Sequence, residues 1–142
     1  MEKNVAVGRR KASVARVFIS KGKGKITIND KDIKDYFSVE FLRNKVVEPL
    51  AATETIGSFD FIVNVNGGGI KGQAEAIQLG ISRALLLIDE EHRLALKPLR
   101  MLTRDARVVE RKKPGFRKAR KKEQFSKRYY LRQVQEILSW KE

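Results

Sequence analysis

Apolar residues recur along the N-terminal part of the chain with two different periods. Val5 and Val7 open an alternating stretch that resumes at Val14-Ala15-Arg16-Val17-Phe18-Ile19 and predicts a half-buried strand. Lys21-Gly22-Lys23-Gly24-Lys25 is turn chemistry, and Ile26-Thr27-Ile28 is a short strand after it. The two runs are expected to pair as a hairpin, closed by Asn29-Asp30-Lys31-Asp32. Ser38 predicts the cap of a helix reaching about Val47, and Pro49 ends or kinks it. Phe59 to Val65 is the clearest strand, with Phe59, Phe61, Val63 and Val65 on one face. A glycine-rich loop, Asn66 to Gly72, leads into the strongest helix. There Ala74, Ile77, Ile81, Leu85 and Ile88 fall at spacings of three and four over 73–88. Asp89-Glu90-Glu91 breaks it, and a short helix is predicted within 92–99. These elements predict an α+β core occupying residues 1–102.

Past Leu102 the periodicity gives way to charge. Of the chain's 31 Lys and Arg, 14 lie in residues 97–128, against three acids there, Asp105, Glu110 and Glu123. The densest stretch, RKKPGFRKARKKEQFSKR from Arg111 to Arg128, holds too few apolar residues to offset the entropy of ordering it. It is expected to order on a polyanion. Guanidinium groups suit phosphate through their planar fork of donors. Phe116 and Phe125 lie among the cations, and Pro114-Gly115 interrupts any continuous helix and favours an extended path. Fully stretched, this segment spans roughly 60 Å. Residues 103–128 are therefore read as a basic RNA-binding arm, with Arg104, Arg107, Arg111, Lys112, Lys113, Arg117, Lys118, Arg120, Lys121 and Lys122 as its contacts. Residues 129–142 differ again: Tyr130, Leu131, Val134, Ile137 and Leu138 form a helical stripe, with Trp140 near the end, predicting a short amphipathic helix.

The composition narrows the chemistry. The chain has 142 residues, a formal charge of +14, one histidine and no cysteine. Disulfides, thiolate catalysis and cysteine-ligated zinc are excluded, as is a multi-histidine metal site. No window approaches the roughly 18 consecutive apolar residues of a membrane span, and Met1-Glu2-Lys3-Asn4 lacks the apolar run of a secretory leader. A soluble, intracellular, strongly basic protein is expected. Gly67-Gly68-Gly69-Ile70-Lys71-Gly72 matches G-x-G-x-x-G between a strand and a helix. No second strand separates Ile88 from the acids at 89–91, however, so a dinucleotide fold is not expected. Two compatible readings of the loop remain open: glycines permitting a tight turn, or amides beside Lys71 gripping an RNA phosphate. His92 has no nucleophile marked out for it, so no enzyme, cofactor or small-molecule substrate is expected. Arg9, Arg10 and Lys11 form a second basic cluster, read as a second anchor on RNA. A free-standing nucleic-acid chaperone or architectural protein is the alternative function.

VGRRKASVARV (7–17), VNGGGIKGQAEAI (65–77) and LTRDARVVERKKPGFRKARKKEQFSKR (102–128), in that order, resemble the universal protein number nine of the small ribosomal subunit in its bacterial form. The resemblance runs from about Val5 to Arg128. It implies a two-layer α/β sandwich of the ribosomal S5 domain 2-like type, with a left-handed βαβ crossover and a long extended C-terminal arm. It also implies a cytoplasmic or organellar ribosome, a place in the head of the small subunit against rRNA and neighbouring head proteins, and an arm reaching peptidyl-site tRNA. In the family the arm ends in Ser-Lys-Arg, which touches tRNA phosphates; the matching residues are Ser126, Lys127 and Arg128. The family normally stops at that arginine, whereas here Tyr129 to Glu142 follow.

Overall fold

The computed structural model describes residues 4–139, with the side chains of all of these except Tyr129 and residues 136–139. Trp140 and the side chains of Ile137 and Leu138, part of the predicted stripe, lie outside the described residues. The chain divides into two units at Val108 and Val109.

The first unit builds one sheet. Strand β1 (Asn4–Arg10) turns at Lys11-Ala12 into β2 (Ser13–Lys21), and the two pair antiparallel from Asn4↔Ile19 to Arg10↔Ser13. Then come β3 (Ile26–Ile28), β4 (Lys31–Asp32), helices α1 (Ile33–Tyr36) and α2 (Glu40–Ala52), strand β5 (Phe59–Asn66), and helices α3 (Ile70–Ile88) and α4 (His92–Leu96). The strand order is β1-β2-β5-β3-β4. β5 is antiparallel to β2 and parallel to β3.

This order corrects the expected hairpin. Ile26–Ile28 does not pair with 14–19, because β5 lies between them; the hairpin partner of β2 is β1. The reason lies at Asp60, whose Oδ1 accepts the backbone N–H groups of Lys23, Gly24 and Lys25 at 2.8–2.9 Å. That carboxylate carries the Lys21–Lys25 loop across the start of β5. Asn29 locks the other side: its side-chain amide donates to the Val65 carbonyl at 2.9 Å and accepts the Val65 N–H at 3.0 Å.

Three helix boundaries also move. α2 begins after Val39 rather than at a Ser38 cap, and no side chain caps it. It runs through Pro49 to Ala52, because Pro49 and Leu50 are buried and packing outweighs the amide lost at proline. α3 begins at Ile70, three residues ahead of the periodic run.

The core lies on one face of the sheet. Ala15, Val17, Phe61, Val63 and Val65 point inward against Ala74, Ala76, Ile77, Ile81 and Leu85 of α3 and Leu42, Val46 and Leu50 of α2. Each large aliphatic buried there contributes about 1.5–3 kcal/mol. β1 and α3 meet at glycines: a Cβ on Gly8 would run into the Ala76 carbonyl and the Gly80 amide.

In the second unit, residues 109–113 have no helix or strand, and α5 spans Lys127–Ser139. Pro114-Gly115 is a turn with Gly115 at φ 77°, Phe116 bridges Lys122, and the Arg117 N–H donates to the Lys121 carbonyl at 2.8 Å. Residues 113–122 therefore double back, where the sequence predicts an extended path. The amphipathic helix starts at Lys127 rather than Tyr129, so it includes Lys127 and Arg128.

Candidate nucleic-acid interface

The β1–β2 turn and the start of α3 come together because the glycine loop seats that turn. Gly67 and Gly68 both hold a left-handed backbone, φ 73° and 66°, which glycine adopts without a Cβ penalty. Ser13 Oγ donates to the Gly67 carbonyl at 3.0 Å, and Gln73 Nε2 reaches the same oxygen at 3.1 Å. A Cβ on Gly68 would strike Ser13 Oγ. Lys11, in the turn, thus sits at the end of the sheet where α3 begins, with Lys71 in its first turn. Arg9, Lys11 and Lys71 are all exposed.

Arg10 has a different place. Its side chain is 11% exposed, and its Nε donates to Glu75 Oε2 at 2.7 Å. Its Nη2 lies 3.3 Å from Asp105 Oδ2, and its Nη1 donates to the Arg107 carbonyl at 2.6 Å. Arg10 is occupied inside the fold. The signal was present in the sequence, because alternation from Ala6 through Gly8 puts Arg10 on the inward face of β1.

Asp105 also receives Arg107, whose Nε and Nη2 grip both carboxylate oxygens at 2.7–3.1 Å. Hydrogen bonds from the Arg107 side chain, then its backbone N–H, with the charge of Arg10 beyond them, hold Asp105 well below the usual carboxylate range. The Asp105 pair also raises Arg107 above the ordinary arginine value. Arg104, by contrast, is exposed with no acid partner among the described residues.

In the second unit Arg111, Lys112, Arg117, Lys118, Lys121 and Lys122 are exposed and make no ion pair among the described residues. Glu110 takes Arg120 in a two-pronged contact, 2.9 and 3.2 Å, and lies 3.8 Å from Lys113. Ser126, Lys127 and Arg128 are exposed at the start of α5, and the Ser126 carbonyl accepts the Tyr130 N–H at 3.3 Å. Phe125 is 76% exposed beside them.

A family model described as ribosomal protein S9/S16 matches residues 8–128. The chain belongs to the ribosomal protein S9/S16 family. Relatives of this family agree. The protein is 61% identical to the small ribosomal subunit protein uS9 of Christiangramia forsetii over 122 residues, 86% of this chain and 95% of that protein. It is 57% identical to the uS9 of Chlorobaculum tepidum over the same shares. The S9/S16 match takes in the β1–β2 turn, the glycine loop and the basic segment through Arg128; residues 129–142 lie beyond it.

Proposed function

We propose that the chain is a structural, rRNA-binding component of the small ribosomal subunit and not an enzyme. The family match over residues 8–128 carries this reading, and the exposed cations agree with it. Within it, the core is of the ribosomal S5 domain 2-like type, which the helical crossover between the parallel strands β3 and β5 supports. Residues 103–128 act as the arm, laid out among rRNA in the head of the subunit beside neighbouring proteins. Its exposed cations reach phosphates, while Arg9, Lys11 and Lys71 anchor the core. Ser126, Lys127 and Arg128 meet phosphates of peptidyl-site tRNA. Backbone contacts of this kind suit a site that accepts every tRNA, since phosphate carries no sequence. Arg10 serves by positioning residues 105–107 rather than by touching RNA.

The test is co-sedimentation with small subunits, expected to persist until high salt. Truncation after Lys122 should allow assembly and weaken tRNA retention; unchanged retention would remove Ser126, Lys127 and Arg128 from that role. Equal binding to unrelated DNA and RNA, with no ribosomal association, would instead mark a free-standing nucleic-acid chaperone.

A further inference from the structure

α2 and α3 pack on one face of the sheet, and the other face carries three rows set by strand register. The rows are Val5–Phe18–Ile62–Thr27, then Val7–Arg16–Asn64, then Arg9–Val14–Asn66. The solvent side of an antiparallel sheet ordinarily alternates to polar side chains. Here the first row is apolar across β1, β2 and β5, with Ile62 53% exposed, Val5 40% exposed and Phe18 half-buried between them, before it ends at Thr27 and the exposed Asp32 of β4. A groove of about 1030 Å³ opens at the end of the sheet beside this row, lined by Phe18, Ile62 and Asn64 on the outer face and by Phe59, Leu87 and Ile88 on the α3 side. In the adjoining rows Arg16 and Arg9 are exposed with no acid partner among the described residues. The carboxylate β5 turns to this side, Asp60, is occupied by three backbone amides.

An apolar shelf bearing an aromatic ring, bordered by unpaired guanidinium groups and side-chain amides, with the exposed carboxylate of Asp32 set apart on β4, two strands beyond Ile62, complements one kind of partner. Unpaired RNA offers planar apolar base faces on an anionic backbone. A duplex hides those faces, and an acidic protein segment would match the arginines but not the ring. We infer that the outer sheet face is a platform for unpaired RNA. A base stacks on Phe18 beside Ile62, and Arg16 and Arg9 receive the flanking phosphates. This rests on the RNA-binding reading above and adds to it a second, structure-selective contact surface.

The full chain is titrated with a labelled oligouridylate and with an RNA duplex of equal length. Phe18→Leu and Arg16→Gln, both retaining strand character, should each weaken oligouridylate binding, Phe18→Leu by about tenfold. Phe18→Leu should leave duplex binding unchanged. Irradiating the wild-type complex should place a uridine adduct on the tryptic peptide Val17–Lys21. Adducts confined to residues 109–128, or Phe18→Leu binding oligouridylate as wild type does, would overturn the platform and leave the RNA-binding reading standing. A wild-type chain that binds neither RNA would overturn both. In assembled subunits, an adduct from Val17–Lys21 to another protein instead of RNA would also overturn the platform.

Discussion

Arg10 holds Arg107 by its backbone: the guanidinium Nη1 donates to the Arg107 carbonyl oxygen across 2.6 Å, linking residues 97 positions apart. With Glu75 on α3 and Asp105 as its other partners, one inward-facing side chain ties the root of the basic segment to β1 and to α3.

Removing that side chain should therefore cost the core, not only RNA affinity. Arg10→Ala leaves Glu75 without its partner, and the loss expected from denaturant titration is about 3 kcal/mol. Hydrogen exchange at residues 105–107 should quicken in the same variant. Arg10→Lys should recover only part of the loss, since one ammonium cannot meet three partners in the guanidinium plane. An Arg10→Ala chain as stable as wild type would return Arg10 to the RNA surface.

Asp60 should make the β2–β3 connection acid-sensitive. The Lys25 N–H, then those of Lys23 and Gly24, favour its ionised form and lower its pKa below the ordinary value of 3.8. A carboxyl depressed on folding stabilises the fold fully above its unfolded pKa and loses that contribution as pH falls through the folded one. Asp60→Asn should accordingly lower Tm at pH 7, with the gap closing below about pH 3.8. A gap that stays constant down to pH 2 would mean the charge is not what holds the loop.

Glu110 competes with phosphate for Arg120 and Lys113. Glu110→Gln should tighten RNA binding at low salt and steepen its salt dependence. Neutralising an unpaired cation such as Lys112 should do the reverse, flattening the slope by about one unit. Salt titrations of the two variants would separate them, and identical slopes would show that the Glu110 contacts are lost on binding at no cost.

Gly8 has no room for a methyl group between β1 and α3. Gly8→Ala should destabilise by about 3 kcal/mol through forced separation of strand and helix. Gly69→Ala is the control, because nothing lies near its Cβ position. Comparable losses at both sites would mean that the close approach of β1 and α3 is not what excludes the methyl group, since backbone entropy alone favours alanine.

The sequence made β2, β5 and α3 legible because each presents a long run with one period. Strand neighbours were not legible. Glycines and lysines at 21–25 look like hairpin chemistry, whereas the true hairpin turn, Lys11-Ala12, has no glycine and places Lys11 at φ 51°. Asp60 and the Asn29–Val65 pair, contacts made far along the chain, decide between them. Among the candidate site residues, Arg9 and Lys11 are exposed as a basic cluster suggests, but the cation between them faces inward. Charge density cannot tell the three apart, while strand alternation does. The Asp105–Arg107 fork and the Glu110–Arg120 contact were hidden for a related reason. Two scattered acids in a basic run say nothing about which cations they neutralise until the backbone brings them together.

The position of β5 bears on how the molecule comes into being. It lies between β2 and β3, yet it is made after both, with about thirty residues between Ile28 and Phe59 still to be added. At translation rates of roughly 5–20 residues per second, that interval is on the order of seconds. The β1–β2 hairpin can close meanwhile, and β3 can pair with β4, but one flank of β2 and one flank of β3 await a strand that does not yet exist. A nascent chain halted ahead of Asn66 exposes that open flank to its surroundings, and completing one strand removes the hazard on both sides at once.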